Sequence, residues 1–189
     1  AMELWRARQV AGPSGLPSSG VEGRLPVSGG SGSAPLAWRG LEMFLGHRIH
    51  SSDPRLAACA ETFRENLRDI LTAISGVGAK TLVCQVPSNL RDFSPFASLP
   101  RPGISPADQT VWEKTFGAGV AAQEQQQWEK ARQCFEQAET FDSGHAELHY
   151  RLVQCLLRLG HSEEARGHLR LARENDALHF RATASLNAA

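Results

Sequence analysis

A 34-residue period in the C-terminal half constrains the fold of this 189-residue chain more than any other feature. When residues 128–142 are aligned with residues 162–176, 34 positions later, small residues match small ones, apolar match apolar and acidic match acidic at several positions. The matching pairs are Ala131 with Ala165, Phe135 with Leu169, Ala138 with Ala172, and Asp142 with Asp176. A period of this length is typical of stacked helix pairs, in which each pair buries its apolar face against its neighbours. The sequence therefore predicts a mainly α-helical fold over residues 105–177.

The order of residue types within each period resembles the tetratricopeptide repeat. In the first unit, the family's small and large positions carry Trp112, Gly119, Trp128, Ala131, Phe135 and Ala138. In the second unit, which starts at Ala146, the corresponding residues are Leu152, Ala165, Leu169 and Ala172. The units depart from the family where Val153 replaces a small residue and where Ser143 and Ala177 replace a proline. The resemblance covers residues 112–177 and implies two helical hairpins of the α–α superhelix type.

Two repeats are fewer than the roughly three that such arrays usually need for stability. We therefore expect the pair to pack against another surface, for which the N-terminal half of the chain is the candidate.

The first helix of each unit is expected to form the inner face of the array, where repeat proteins bind their partners. The residues predicted on that face are Glu113, Phe116, Val120, Gln123, Glu147, Tyr150, Gln154, Leu157 and Arg158. This mixture of polar and aromatic side chains predicts a peptide-binding groove. The alternative is that Phe116, Val120, Tyr150 and Leu157 pack on the neighbouring domain, because a short array requires that burial.

The N-terminal half divides into a linker and a partial α/β segment. Residues 1–40 are rich in Gly, Pro and Ser, which is typical of a linker. Residues 41–104 contain a predicted helix that begins at Asp53-Pro54 and ends at Gly76, followed by a short apolar strand over residues 81–86 and a Pro-rich connection. A helix, a glycine turn and an apolar strand are half of an α/β unit. Residues 178–189 are interpreted as a return segment.

Histidines invite a search for a metal site or a catalytic site. His145 and His149 are four residues apart on a predicted helix, but Ala146 stands where the metalloprotease pattern needs a glutamate. An Asp-x-x-His spacing occurs at the same point of each repeat, where a turn needs a polar cap, so the turn explains it. The two pairs are Asp142 with His145 and Asp176 with His179. We predict no catalytic residue, metal ligand or cofactor in this chain.

The segments on both sides of the repeats are similar to bacterial proteins in which tetratricopeptide repeats are inserted into an SGNH/GDSL-type hydrolase domain. The similarity rests on the turn Val86-Pro87-Ser88-Asn89-Leu90 before the repeats and on Phe180-Arg181-Ala182 after them. It implies an esterase-like parent protein that uses a Ser–His–Asp triad. None of the family's catalytic blocks aligns with this sequence, so it is expected to be a central fragment.

The predicted function is protein interaction or scaffolding. The alternatives are ester or acyl hydrolysis by the parent, and a plain repeat adaptor without hydrolase ancestry.

Composition narrows the range of partners. Twenty basic and twenty acidic residues give a net charge of zero, which removes the electrostatic argument for nucleic acid. No apolar run approaches the ~20 residues of a membrane span. The expected partner is therefore a protein, a peptide or the rest of the chain's own hydrolase-like domain, and the unpaired strand predicts self-association. Four cysteines without a CxxC spacing predict buried free thiols, which favour a soluble protein of the cytoplasm.

Overall fold

All regular secondary structure is helical in the part of the chain that a computed structural model describes, which is residues 40–188 without the Leu41 side chain. A 3-10 helix, Gly40–His47, precedes six α-helices. These are α1 (Pro54–Gly76), α2 (Pro106–Glu124), α3 (Trp128–Glu139), α4 (Ala146–Leu159), α5 (Ser162–Glu174) and α6 (Ala184–Asn187). The predicted linker over residues 1–40 lies outside the described residues, apart from Gly40. The predicted domain boundaries stay predictions.

Local sequence signals account for the helix ends. The Asp53 carboxylate accepts a hydrogen bond from the Arg55 backbone N–H at the start of α1, and the Ser105 hydroxyl accepts one from the Asp108 N–H at the start of α2. Each of these caps is followed by a proline at the first helical position, where the missing N–H costs nothing. At the end of α4, Gly160 has a φ of +86°, a left-handed conformation that favours glycine.

The helices α2 to α5 form two consecutive antiparallel hairpins with a shared core, which confirms the mainly helical fold. The predicted small residues lie at the contacts, since Ala131, Ala138 and Ala165 are completely buried. Large residues fill the space between them, among them Phe135, Leu148, Leu152 and Leu156. Alanine at the crossings lets the helix axes approach, and the large apolar side chains then pack to interior density.

The repeat-equivalent aspartates stabilise turns and also bind a distant segment. Asp142 follows α3, and its Oδ1 accepts a hydrogen bond from the Gly144 N–H at 2.8 Å. Its Oδ2 accepts one from the Arg101 N–H at 2.9 Å, and the Arg101 guanidinium donates to the Phe141 carbonyl at 2.7 Å. The predicted role as a turn cap is therefore correct, but it accounts for only one of the two carboxylate oxygens.

Asp176 repeats this arrangement after α5. Its Oδ1 accepts from the Leu178 N–H at 3.2 Å and from the Ala97 N–H at 3.1 Å. Its Oδ2 accepts from the Phe96 N–H at 2.9 Å and forms an ion pair with Arg181 at 2.9 Å. Residues 91–101, which we call the strap, are thus fixed to both repeats by two buried carboxylates. The strap supplies part of the additional surface that a short array was expected to need.

The predicted strand over residues 81–86 is wrong, and with it the partial α/β element. No strand occurs among the described residues, and Leu82 and Val83 are largely exposed to solvent. The end of this segment instead contacts α6, because the Val86 N–H donates to the Asn187 side chain at 3.0 Å and the Gln85 side chain donates to the Asn187 carbonyl at 3.1 Å. An apolar sequence forms a strand only when a partner strand satisfies its backbone groups, and residues 40–188 provide none.

The prediction of buried thiols is correct for Cys155 and wrong for two others. Cys59 and Cys84 are exposed, and Cys134 is half-buried. Cys59 belongs to the apolar stripe of α1, where Ala60 is the buried residue while Phe63 and Ile70 remain exposed. A helical apolar stripe predicts a contact face, but the described residues do not cover this one. No helix of the described part is long and apolar enough to cross a membrane.

Candidate peptide-binding groove

A polar bridge joins the inner helices α2 and α4. The Gln123 side-chain amide donates to the Gln154 amide oxygen at 2.7 Å and accepts from the Arg151 guanidinium at 3.0 Å. The Arg151 Nε in turn donates to the Glu147 carboxylate at 2.8 Å. The buried Gln123 thus has partners for both ends of its amide, which removes the desolvation penalty of its burial. Three of the predicted groove residues are brought together here: Gln123, Glu147 and Gln154.

Stacked rings occupy the end of the inner face near the start of α2 and α4. The rings of Trp112 and Phe116 are parallel within 9°, with centroids 4.8 Å apart. The His145 imidazole lies 4.5 Å from the Trp112 ring, and the Arg151 guanidinium lies 5.9 Å from the Phe116 centroid. Desolvation by burial lowers the pKa of His145, which keeps this ring neutral among the aromatic rings. Phe116 is half-buried, and its ring lines the groove between Trp112 and Arg151.

The remaining predicted groove residues differ in exposure. Glu113 is exposed on α2. Val120 and Leu157 are half-buried and pack against the repeat core. Arg158 is exposed, and its guanidinium lies over the Trp128 ring of α3 at 5.5 Å, so it contacts the outer layer. The face thus offers a floor of partly exposed apolar side chains with polar groups beside it.

The strap borders this face. The Tyr150 hydroxyl donates to the Arg91 carbonyl at 3.1 Å, and the Ser98 hydroxyl accepts from the Glu147 backbone N–H at 2.8 Å. The alternative interpretation, that the apolar groove residues pack on the N-terminal part, therefore agrees with the position of Tyr150. Phe116, Val120 and Leu157 pack against the core of the repeats themselves.

The groove has hydrogen-bonding capacity left over. Gln154 is exposed, and its amide nitrogen donates no hydrogen bond to a described residue, so it can donate to a ligand carbonyl. The Glu113 carboxylate accepts one hydrogen bond, from Gln109, and an ionised carboxylate has capacity for about three more. These groups suit the recognition of a peptide backbone and a basic or amide side chain.

The Asp-x-x-His pairs are not catalytic dyads. The oxygens of Asp142 and Asp176 accept the turn and strap hydrogen bonds, and none of these bonds comes from a histidine. His145 Nδ1 accepts from the Leu148 N–H at 3.4 Å as a helix cap, and His179 Nε2 faces the Ile49 carbonyl at 3.3 Å. An imidazole that is held by backbone groups has no carboxylate to orient it as a general base.

Two contributors to the groove were missed in the sequence. Arg151 donates a hydrogen bond to Gln123 in the polar bridge, and the Trp112 ring stacks on Phe116. The spacing of Glu147 and Arg151, four residues apart on one helix, is a signal that could have identified the arginine.

Comparison with known proteins supports the interpretation of the repeats. Residues 122–188 match the family described as tetratricopeptide repeat. The match begins inside α2 and extends over α3 to α6. No curated protein and no solved structure matches the chain. Residues 122–188 thus form a helical region that is similar to the tetratricopeptide repeat.

Proposed function

We propose that the repeat pair is a protein-interaction module that binds a peptide segment of its partner across the inner face of α2 and α4. The observation that supports this most is the tetratricopeptide match over residues 122–188, because such repeats generally mediate contacts between proteins. The solenoid geometry leaves one concave face for a ligand while the outer helices cover the core.

The chemistry of the face suggests the type of peptide. An extended peptide presents backbone carbonyl groups, one of which can accept a hydrogen bond from the exposed Gln154 amide, while Phe116 and Leu157 offer apolar area. Glu113 adds an exposed negative charge that favours a lysine or arginine of the ligand. A net charge of zero gives no comparable argument for nucleic acid.

A display library of peptides selected on the immobilised chain tests the proposal. Binding of the selected peptides is then measured by calorimetry for Glu113→Ala and Gln154→Ala, and for the matched controls Lys130→Ala and Arg166→Ala, which are exposed on the outer helices. We expect each groove variant to bind about tenfold more weakly, the loss of one charge-assisted or backbone hydrogen bond, and the controls to bind like the unmodified chain. Selected peptides whose affinity depends on the outer helices and not on the groove would contradict the proposal.

We infer, as a second candidate, that the module is inserted into an SGNH/GDSL hydrolase-like domain and acts there as a scaffold. This rests on the similarity of the flanking segments and on one geometric observation. Val86, before the repeats, and Asn187, after them, are joined by two hydrogen bonds of 3.0 and 3.3 Å. A module that is inserted into another domain requires its first and last segments to lie close together, as these two do.

Two measurements address this second candidate. Coding sequence on both sides of the chain should encode a GDS block upstream and an Asp-x-x-His block downstream. The chain by itself should release nitrophenolate from short-chain esters no faster than buffer, because residues 40–188 assemble no Ser–His–Asp triad. Hydrolysis by the chain that is lost in His145→Ala or His179→Ala would show that it is itself an enzyme. Flanking sequence without either block favours the plain repeat adaptor.

A further inference from the structure

Three potential metal ligands meet at the junction of the two repeats, away from the groove. Glu139 is the last residue of α3, His149 lies in α4, and His168 lies in α5. Nδ1 of His149 lies 3.0 Å from Nδ1 of His168 and 3.7 Å from Oε1 of Glu139. One ligand atom from each residue lies within 4.8 Å of the other two. Glu139 and His149 are 10 residues apart and His149 and His168 are 19 apart, so no short sequence motif marks this group.

The orientation of His149 is fixed. Its side chain is completely buried, and Nε2 lies 2.7 Å from the Ser143 carbonyl oxygen. Because a carbonyl only accepts, Nε2 carries the proton, and in the neutral ring Nδ1 presents its lone pair to His168 and Glu139. A hydrogen bond from the second ring nitrogen to a backbone carbonyl is the usual support of a metal-binding histidine.

The Glu139 carboxylate is the observation that a histidine–histidine hydrogen bond does not explain. A proton on His168 Nδ1 would account for the 3.0 Å contact between the two rings. That hydrogen bond would occupy the lone pair of His149 but would leave the Glu139 carboxylate, which lies 3.7 Å away and is only 28 % exposed, without a donor among the described residues. A cation bound between the three groups satisfies all of them.

The dimensions fit a tetrahedral ion. Bonds of about 2.0–2.2 Å from zinc to nitrogen or oxygen place tetrahedral ligands roughly 3.3–3.5 Å apart. The observed separations of 3.0 and 3.7 Å lie on both sides of that value. Two imidazoles and one carboxylate suit zinc better than magnesium or calcium, which prefer oxygen ligands.

We propose that Glu139, His149 and His168 bind one Zn²⁺ ion through Oε, Nδ1 and Nδ1, with a water molecule as the fourth ligand. To bind, the half-buried His168 takes the tautomer with its proton on Nε2, so that Nδ1 presents its lone pair to the ion. The ion then connects α3 of the first repeat to both helices of the second. It holds the two hairpins in one relative orientation, which an array of only two repeats needs.

Calorimetric titration of the metal-free chain with ZnCl₂ tests the site. All proteins carry Cys59→Ser and Cys84→Ser, because these two exposed thiols would bind zinc themselves. The test variants are His168→Gln and Glu139→Gln, both at partly exposed positions, and the matched control is His161→Gln, an exposed histidine that precedes α5. Circular dichroism verifies that each variant folds.

We expect one zinc ion per chain, at least about tenfold weaker binding in both test variants, and unchanged binding in His161→Gln. Cobalt substituted for zinc should show the visible absorption of a tetrahedral site in the unmodified protein and not in His168→Gln. Nitrogen NMR of the imidazoles should show Nε2–H on His149 with and without metal. Equal zinc affinity of His168→Gln and the unmodified chain, or an octahedral cobalt spectrum, would overturn the proposal.

Discussion

Gly119 in α2 faces the ring of Phe135 in α3 so closely that a Cβ atom on the glycine would lie 2.6 Å from Cε1 of the ring. The Phe135 side chain is completely buried, so the ring has little freedom to move away. The absence of a side chain at Gly119 therefore sets the distance between the two helices of the first repeat. Glycine lowers helix propensity, and this contact explains why it is nevertheless found in the middle of α2.

Replacing Gly119 by alanine should destabilise the protein by about 1–3 kcal/mol, because overpacking exceeds the gain in helix propensity. The matched control is Gly167→Ala in α5, where nothing lies within 4 Å of the added atom. That change should stabilise the protein by about 0.5–1 kcal/mol. Urea unfolding followed by circular dichroism measures both. Stabilisation by both substitutions would show that α2 and α3 are not in close contact.

Loss of the Asp176 carboxylate should release the strap. Asp176→Ala leaves Arg181 without its buried partner and two strap N–H groups without an acceptor, which should cost about 3–5 kcal/mol. Trypsin should then cleave after Arg91 faster than in the unmodified chain, as judged by mass spectrometry, whereas the Arg101–Pro102 bond resists trypsin in both proteins. Asp69→Ala, in an exposed position of α1, is the control and should leave the cleavage rate unchanged.

Acidification should destabilise the protein through His145. Desolvation lowers the pKa of His145, and Asp142 and Glu147 oppose this shift while His149 adds to it. Because the folded pKa is below the unfolded value of about 6.5, the unfolded chain binds more protons between these two values. Stability is therefore complete above about pH 6.5 and falls as the pH is lowered through that window toward the folded pKa.

The variant His145→Asn isolates this contribution, since asparagine can cap α4 as well but does not titrate. Its melting temperature should decline less between pH 7.5 and pH 5.5 than that of the unmodified protein. His47→Asn, an exposed position in the 3-10 helix, provides the comparison. A decline in His145→Asn as steep as in the unmodified protein would refute the assignment.

Thiol reactivity should separate the cysteines into two classes. Burial raises the pKa of the Cys155 thiol to about 11, so little thiolate forms near neutral pH. Cys59 and Cys84 are exposed and should react with a disulfide reagent at the rate of small thiols. Cys155 should react only at the rate of unfolding. Rapid labelling of Cys155 in the folded protein would mean that the α4 core opens locally.

The exposed apolar surface of the N-terminal part should make two copies of the chain associate. Phe63 and Ile70 of α1 are 45 % and 55 % exposed, and Leu82 and Val83 are 87 % and 56 % exposed. No backbone–backbone hydrogen bond within the described residues involves residues 81–85, so this extended segment can pair with its copy. Light scattering should show a concentration-dependent dimer that Val83→Lys weakens.

Leu171→Lys is the control for this association, because Leu171 is 42 % exposed on α5 of the repeats. It introduces the same charge on an apolar position of similar exposure and should not change the dimer. A monomer at every concentration for the unmodified chain would show that the surface is not used for self-association.

The repeat and its packing positions can be read from the sequence alone. A period of 34 residues carries its own register, so Ala131, Phe135 and Ala165 could be placed in the core and Asp142 in a turn before any contact was known. The start of α1 at Asp53-Pro54 was also predictable, because a helix cap depends only on residues within one helical turn.

Contacts between residues far apart in the chain are known only from the folded structure. Residues 81–86 have the composition of a strand, but pairing requires a second segment, and α6 provides only the side chain and terminal carbonyl of Asn187. Asp176 could be predicted as a turn residue, whereas its bonds to Phe96 and Ala97, which are 80 and 79 residues away, arise from the path of the strap. His149 and His168 meet because consecutive antiparallel helices bring together positions 19 residues apart. Helix formation depends on residues within a few positions of each other, so a local sequence pattern can reveal it. Contacts between distant residues form only when the helices pack, so no local pattern can reveal them.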